Sequence, residues 1–507
     1  MTRLRSRRPR QSITLPLLDL PFQPPKNPRP PYDWLEPDEL ERLHDASLNI
    51  LENIGLDFLD AEALDIWEKA GADVDREAQH VRIDRGLVKE AIEKAPSSFH
   101  WRARNPAHDV VIGGNTITFG PCGGMAYVND LDNGRRPGTM ADYENLLRVS
   151  QSCHALHFAA WEQVTAQDIP VDLRHLHRVR AGFKLTDKVV MEGAHGRIIT
   201  ADTLAMMRLV FGPLDGEPVT GDVINVNSPL RYDDRMLGGL ITYARAGQVT
   251  FITPFILAGA MSPVTMAAAL AQQNAEVLAG VTLAQLVRPG APVIYGGFTA
   301  NIDLRSGSPS LGTPEGAWAH LVGGQLARRY NLPYRGSGSL TNSQVADAQA
   351  AYESAWTLWP AVLAHTNLIM HAAGWVDGGL TVSLEKYIVD LENLAMFQHF
   401  LKGFTIDEAS LALDSIAEVG PGGHHFGTVH TQERYRNAFY PSSLADRQGY
   451  DAWIAGGGKD TARRANRIWK EILSRYEPPP LDPAVSEALD DYVARREREL
   501  TGSRLYE

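Results

Sequence analysis

The stretch Val249-Thr-Phe-Ile-Thr-Pro-Phe-Ile-Leu-Ala-Gly-Ala-Met-Ser-Pro-Val-Thr-Met-Ala-Ala-Ala-Leu-Ala-Gln-Gln-Asn-Ala275 contains no Asp, Glu, Lys or Arg. By length alone it could cross a bilayer. Its Thr, Ser, Pro, Gln and Asn residues and its lack of flanking charge asymmetry read instead as a buried strand joined to a buried helix. Strands of a parallel sheet appear as near-continuous apolar runs. A second charge-free stretch, Ala355 to Val376, reads the same way.

Outward from this unit the pattern repeats. Apolar runs fall at His157–Trp161, Val189–Gly193, Val223–Asn227, Val249–Thr253, Val293–Gly297, Tyr334–Ser337 and Leu368–His371. Their spacing of about 27 to 43 residues, with helical patterns between, predicts an α/β chain built as a (β/α)8 TIM-like barrel. Seven strands are legible and the eighth has no clear run. A doubly wound open sheet is the structural alternative, but no glycine-rich dinucleotide fingerprint follows an early strand.

The flanks divide the chain further. Residues 1–36 read as a flexible basic and proline-rich tail, residues 37–150 as a helical and small β region, 151–405 as the barrel, and 406–507 as a Gly/His-rich loop with helices. The early β-runs of residues 99–136 suggest a lid.

Composition bounds the function. Apolar residues make up 44% and charged residues 22%, an ordinary globular balance. The net charge of −12 argues against a nucleic-acid partner, which needs clustered Lys and Arg. Only Cys122 and Cys153 are present, so a disulfide framework or Cys-rich metal site is excluded and a reducing cytoplasm fits. No membrane association is expected.

Gly336-Ser-Gly338 lacks the third glycine of a phosphate loop. Gly456-Gly-Gly-Lys459 lacks the first glycine and the following Ser/Thr of a P-loop. His175 and His177 lie past a strand and read as a solvated helix face. His424, His425 and His430 read as a loop or substrate-contacting group more than a metal site, so no metal is assigned.

A barrel keeps its chemistry at the carboxyl ends of its strands. Those ends carry Trp161 with Glu162, Glu192 with His195, Asn225 with Asn227, Pro254 with Phe255, Phe298 with Asn301 and Asp303, Ser337, and His371 with Trp375. Aromatic faces beside an acid suit a small organic cation, since cation–π attraction replaces water without a hydrogen-bond donor on the ligand. Glu192 and His371 are the expected catalytic pair. Trp161, His195, Asn227, Phe298, Asn301, Ser337, Trp375, His424 and His425 are expected to bind substrate.

Several segments carry a family resemblance: Leu51-Glu-Asn-Ile-Gly55, Arg104-Asn-Pro106, Gly134-Arg-Arg-Pro137, Asp347-Ala-Gln-Ala350 with Tyr352-Glu353, Ser383-Leu-Glu-Lys386, and Gly422-Gly-His-His-Phe426 through His430-Thr431. In this order the chain, from about residue 37 to 475, resembles the trimethylamine methyltransferase family. The resemblance implies a barrel that offers a methylamine to a separate corrinoid protein, whose cobalt(I) attacks the methyl carbon. It also implies a cognate corrinoid partner with no permanently bound cofactor, and a homo-oligomer is expected. Archaeal trimethylamine enzymes carry pyrrolysine mid-barrel, whereas this chain passes through that region, around Tyr334 to Val345, in ordinary residues. A quaternary ammonium needs no activation because it leaves as a neutral amine, so glycine betaine or a related betaine is the expected substrate. His371, His195, Asn301 and the backbone N–H groups of Gly297 or Gly338 are candidates for its carboxylate, with Arg305 a weaker one. No histidine follows an Asp by two residues, so the Asp-x-His motif of a corrinoid domain is missing. The competing functions are a metal-dependent TIM-barrel hydrolase and a non-catalytic betaine-binding subunit.

Overall fold

The computed structural model describes residues 15–503 and 505. Eight parallel strands alternate with eight helices. They are β1 (Thr118–Phe119), α1 (Met140–Ser152), β2 (Phe158–Ala160), α2 (Arg174–Leu185), β3 (Val189–Val190), α3 (Arg197–Phe211), β4 (Gly221–Val226), α4 (Asp234–Arg245), β5 (Val249–Ala258), α5 (Met266–Val287), β6 (Val293–Gly296), α6 (Pro314–Arg329), β7 (Tyr334–Ser337), α7 (Ala348–Leu363), β8 (Leu368–Met370) and α8 (Leu384–Lys402). Parallel ladders run β4-β5-β6-β7-β8-β1 and β2-β3. Hydrogen bonds outside these ladders make the two remaining joins. The His157 N–H donates to Phe119 O at 2.9 Å, and Thr220 Oγ1 donates to Val190 O at 3.0 Å.

Local chemistry sets the helix starts. Thr139, Asp233, Thr313, Asp347 and Ser383 each accept a first-turn N–H, which satisfies donors that the helix cannot. Pro314 at the first turn of α6 has no N–H to lose. The charge-free stretch resolves into β5 and α5, and α5 is buried along most of its length. No described helix is long and apolar enough to cross a membrane.

The missing eighth strand is the first one, β1, two residues long and inside the region assigned to 37–150. The barrel therefore begins before residue 151. The early β-runs also divide differently from a lid. Ser98–Trp101 pairs antiparallel with Val110–Gly113, and Trp101, Val110 and Ile112 pack on Phe158, Val249 and Leu368. This hairpin plugs the amino-terminal floor of the barrel. Tyr127–Asp130 and Gly134–Pro137 instead join Trp375–Val376 and Thr381–Ser383 in a four-stranded sheet above the β8 loop.

His175 is not on a solvated face. It is buried and bonded to Asp202 at 3.0 Å, and Asp202 also takes Tyr492 and Arg496 from the last helix, Pro483–Leu500.

The expected tail also differs. Arg3 to Arg10 lie outside the described residues, but residues 15–36 are packed on the barrel. Leu15 and Leu17 sit in the main core, Phe22 packs tilted against His108 and edge-on against His157, and buried Asn27 donates to Val362 O at 3.1 Å. Spaced leucines between prolines are too sparse to signal this burial. Leu17→Ala is expected to lower unfolding stability by about 2–5 kcal/mol in denaturant titration. An unchanged midpoint would return the segment to a passive tail.

Candidate functional site

At the carboxyl end of the strands lies a cavity of about 250 Å³. Trp161 and Glu162 follow β2, Glu192 and His195 follow β3, and Asp222 comes from β4. Phe255 lies on β5, Arg335 on β7, and His371 and Trp375 follow β8. Phe298 starts a short strand, Phe298–Ile302, that pairs with the far end of β5.

The rings touch in sequence. Centroids lie 5.3 Å apart for Trp161–His371, 4.7 Å for His371–Trp375, 6.0 Å for Trp375–Phe298 and 5.0 Å for Phe298–Phe255. Glycine lets two of them lie where they do. A Cβ on Gly123 would fall 2.2 Å from the Trp161 ring, and one on Gly379 would fall 2.4 Å from Trp375. His371 adopts φ 55°, a left-handed conformation that costs a β-carbon residue energy and concentrates at working sites. Its N–H is held by Pro121 O at 3.0 Å.

One wall is acidic. The Arg178 guanidinium bridges Glu162 at 2.6 Å and Glu192 at 2.9 Å, and the Tyr143 hydroxyl donates to Glu192 at 3.2 Å. Burial pushes the Glu192 carboxyl up to about 7 despite Arg178. Burial works the same way on Glu162, but there Arg178 wins and holds it below the usual range. Asp222 is buried and accepts the Trp161 indole N–H at 3.0 Å and the Ala194 N–H at 3.1 Å.

The opposite side holds a cation with no anion. Arg335 is 2% exposed, and no carboxylate pairs with it among the described residues. Burial lowers its guanidinium to about 10, so it stays charged at neutral pH. Its Nη1 reaches Gly297 O at 3.4 Å and Ser337 Oγ at 3.3 Å, and its Nη2 donates to His371 Nε2 at 3.1 Å. A guanidinium cannot accept, so His371 Nε2 is the acceptor and the ring's proton sits on Nδ1. Burial, then Arg335, holds His371 well below its ordinary pKa. Arg335 Nε, His371 Nδ1 and Trp375 Nε1 are all buried without a hydrogen-bond partner. Three orphaned donors on residues lining one cavity are costly to leave unmet.

The cavity thus gathers Glu192, His371, Trp161, His195, Phe298 and Trp375 from the expected set. Ser337 sits one layer behind, on Arg335. Asn301 is tied to Thr313 at 3.0 Å, and Asn227 accepts the Asp233 N–H at 3.1 Å, so neither lines the cavity. His424 and His425 are exposed, in a segment that leaves α8 at the far end of the barrel, where Gln398 bonds Ala155 O upstream of β2. The Gly297 and Gly338 N–H groups are taken by Arg335 O and Met370 O, and Arg305 is exposed. Arg335, Asp222 and Arg178 were missed. For Arg335 the available signal was a charged residue inside a strand otherwise read as apolar; Asp222 fell just before the run read as a strand, and Arg178 lies on helix α2. Among the described residues no three His, Cys, Asp or Glu side chains come together to hold a metal.

The trimethylamine methyltransferase (MTTB) family profile matches residues 2–501. A glycine betaine methyltransferase of Desulfitobacterium hafniense strain Y51 is 40% identical over 474 residues, covering 93% of this chain and 98% of that one. The trimethylamine methyltransferase MttB of Desulfitobacterium hafniense strain DSM 10664 / DCB-2 is 32% identical over 466 residues, covering 91% and 93%. The crystal structure of the hydroxylamine MtmB complex superposes with a TM-score of 0.48 at 9% identity, covering 90% of this chain and 92% of that one.

Arg178 lies between buried Glu192 and half-buried Glu162, so its loss leaves like charges facing each other. Arg178→Met is expected to destabilise the fold by about 3–5 kcal/mol, with partial recovery when Glu192→Gln is added. A chemical-denaturation midpoint equal to that of the parent would remove the bridge from the account.

Proposed function

The chain belongs to the trimethylamine methyltransferase family and is a methyltransferase, and from that premise we propose that it takes a methyl group from glycine betaine or a closely related betaine and passes it to the cobalt(I) of a separate corrinoid protein. The observation that carries the substrate choice is Arg335, a buried cation without an anion, in a cavity otherwise walled by aromatic rings. A carboxylate is the ligand group that pairs with it. His371 Nδ1 and Trp375 Nε1 are two further buried donors without a partner on residues that line the same cavity, and they support the carboxylate reading.

The quaternary nitrogen then lies among Trp161, Phe298 and Phe255, where ring faces attract the cation and exclude water. Glu192 and Asp222 balance its charge without a direct bond to it. The corrinoid supplies the nucleophile, and the protein aligns one N–CH3 bond toward the mouth. Displacement at methyl needs alignment and dryness more than proton transfer, so no acid or base step is required of these residues. Once the methyl is gone the nitrogen is neutral and the ring attraction is lost, which favours release. Trimethylamine has no carboxylate and would leave Arg335 unpaired. The same reading places the protein in the cytoplasm, consistent with two free buried thiols, gives the mouth to the corrinoid protein, and assigns a homo-oligomeric assembly.

Methyl transfer to cobalt(I) corrinoid from glycine betaine and from trimethylamine, measured side by side, tests the reading. Transfer from the betaine alone is expected, and efficient demethylation of trimethylamine contradicts it.

Affinity should also depend on pH. Glu192 titrates near 7 in the free site, and a cation beside it favours the carboxylate, lowering its pKa in the complex. Binding therefore releases a proton below that pH, and affinity rises as pH climbs from about 6 to about 8. Calorimetry in two buffers of different ionisation enthalpy reads the proton. A dissociation constant flat across that range would remove Glu192 from the ammonium's surroundings.

A further inference from the structure

Residues 403–439 form an arm that leaves the end of α8 and returns beside it. The Tyr440 ring lies 5.6 Å from His399, and the Ser443 N–H donates to Glu392 at 3.2 Å. The arm holds three short helices, Glu408–Leu411, Leu413–Val419 and Val429–Arg434, and none contains a buried residue. Its side chains are nevertheless those of a core. Phe404, Phe426 and Phe439 are 89%, 80% and 82% exposed, and Ile406, Leu413 and Val429 are exposed with them. At the arm's root the outer face of α7 and α8 is apolar too. Trp356, Trp359, Met396 and Phe400 are exposed there, with the Trp359 and Phe400 rings edge-on at 5.3 Å.

Area separates the possible occupants. An aromatic side chain buries about 150–250 Å². The three arm phenylalanines and Phe400 together would remove about 500–800 Å² from water, close to one partner's share of a stable interface. That is as large as the biggest patch a monomer usually leaves uncovered, before the aliphatic residues are added. Persistence separates them further. A segment of this length cannot hold a core of its own. A partner that came and went each turnover would leave the arm uncovered between visits. The occupant must be present whenever the chain is folded, and a second copy meets that condition.

We propose that the arm of one copy packs on the α7–α8 face of a second copy, and the second arm on the first face, about a two-fold axis. Each copy offers one arm and one face, so a reciprocal exchange covers both surfaces at once. The arm leaves the end of the barrel opposite the cavity, so the pairing keeps the mouth free. The proposal rests on the homo-oligomer assigned above and names its contact surface.

Sedimentation equilibrium of the full chain at micromolar concentration tests it. The unmodified protein is expected at twice the chain mass or an even multiple, and Phe404→Asp with Phe439→Asp is expected to halve it while betaine binding persists. If that variant does not fold, hydrogen exchange on the unmodified protein decides. Amides of residues 404–439 should be protected in the assembly and lose protection on dilution. A monomeric parent overturns both the oligomer and the interface. An assembly that survives both substitutions, or whose arm exchanges freely, overturns the interface alone. Protection that appears only after a corrinoid protein is added gives the arm to that partner and overturns the proposal.

Discussion

A guanidinium buried without a carboxylate is the constraint around which this cavity is organised. Arg335 sits on β7 with only neutral acceptors around it, Gly297 O, Ser337 Oγ and His371 Nε2. A protein tolerates such a charge where the rest of the fold holds it in place and a ligand completes it. That one charge also fixes its neighbour. By donating to His371 Nε2 it sets the tautomer, turns Nδ1–H into a donor and, second to burial, helps keep the ring neutral. In the proposed function the substrate's carboxylate supplies the absent anion, and recognition and methyl alignment become one event.

The barrel makes this affordable. Eight short strands bring residues far apart in sequence to one rim, while the Ser98–Gly113 hairpin closes the other end. Loops after β1 and β8 hold the rings through glycines at 123 and 379, where a side chain would collide with an indole. On the acidic side, Arg178 keeps buried Glu192 and half-buried Glu162 compatible. Positive and negative groups thus face each other across an aromatic middle, a polarity that matches a zwitterion and no simple amine.

Much of the fold was legible. The seven apolar runs from His157 to His371 each became a strand, because parallel barrel strands are buried on both faces and lose their polar alternation. β1 was not legible, since two residues carry no periodicity and Thr118–Phe119 resembles the hairpin before it. His175 looked solvated because arginines flank it, yet its partner Asp202 is distant in sequence and invisible to spacing. The cage rings were found through the rule that barrel chemistry sits at strand ends. Arg335 was overlooked for the complementary reason: it lies within β7, where the pattern predicts core, and only the three-dimensional arrangement reveals that no carboxylate among the described residues neutralises it. Asn227, Asn301, His424 and His425 had suitable chemistry but serve turns, a helix cap and an exposed arm.

The most direct test of the central claim is a binding cycle. Glycine betaine and tetramethylammonium share a quaternary head and differ in the carboxylate, and each would be titrated into the parent and into Arg335→Met by calorimetry. The account predicts that the parent prefers glycine betaine and that the substitution weakens glycine betaine at least about 30-fold while barely changing tetramethylammonium. Equal losses for both ligands, or no loss for glycine betaine, would contradict it.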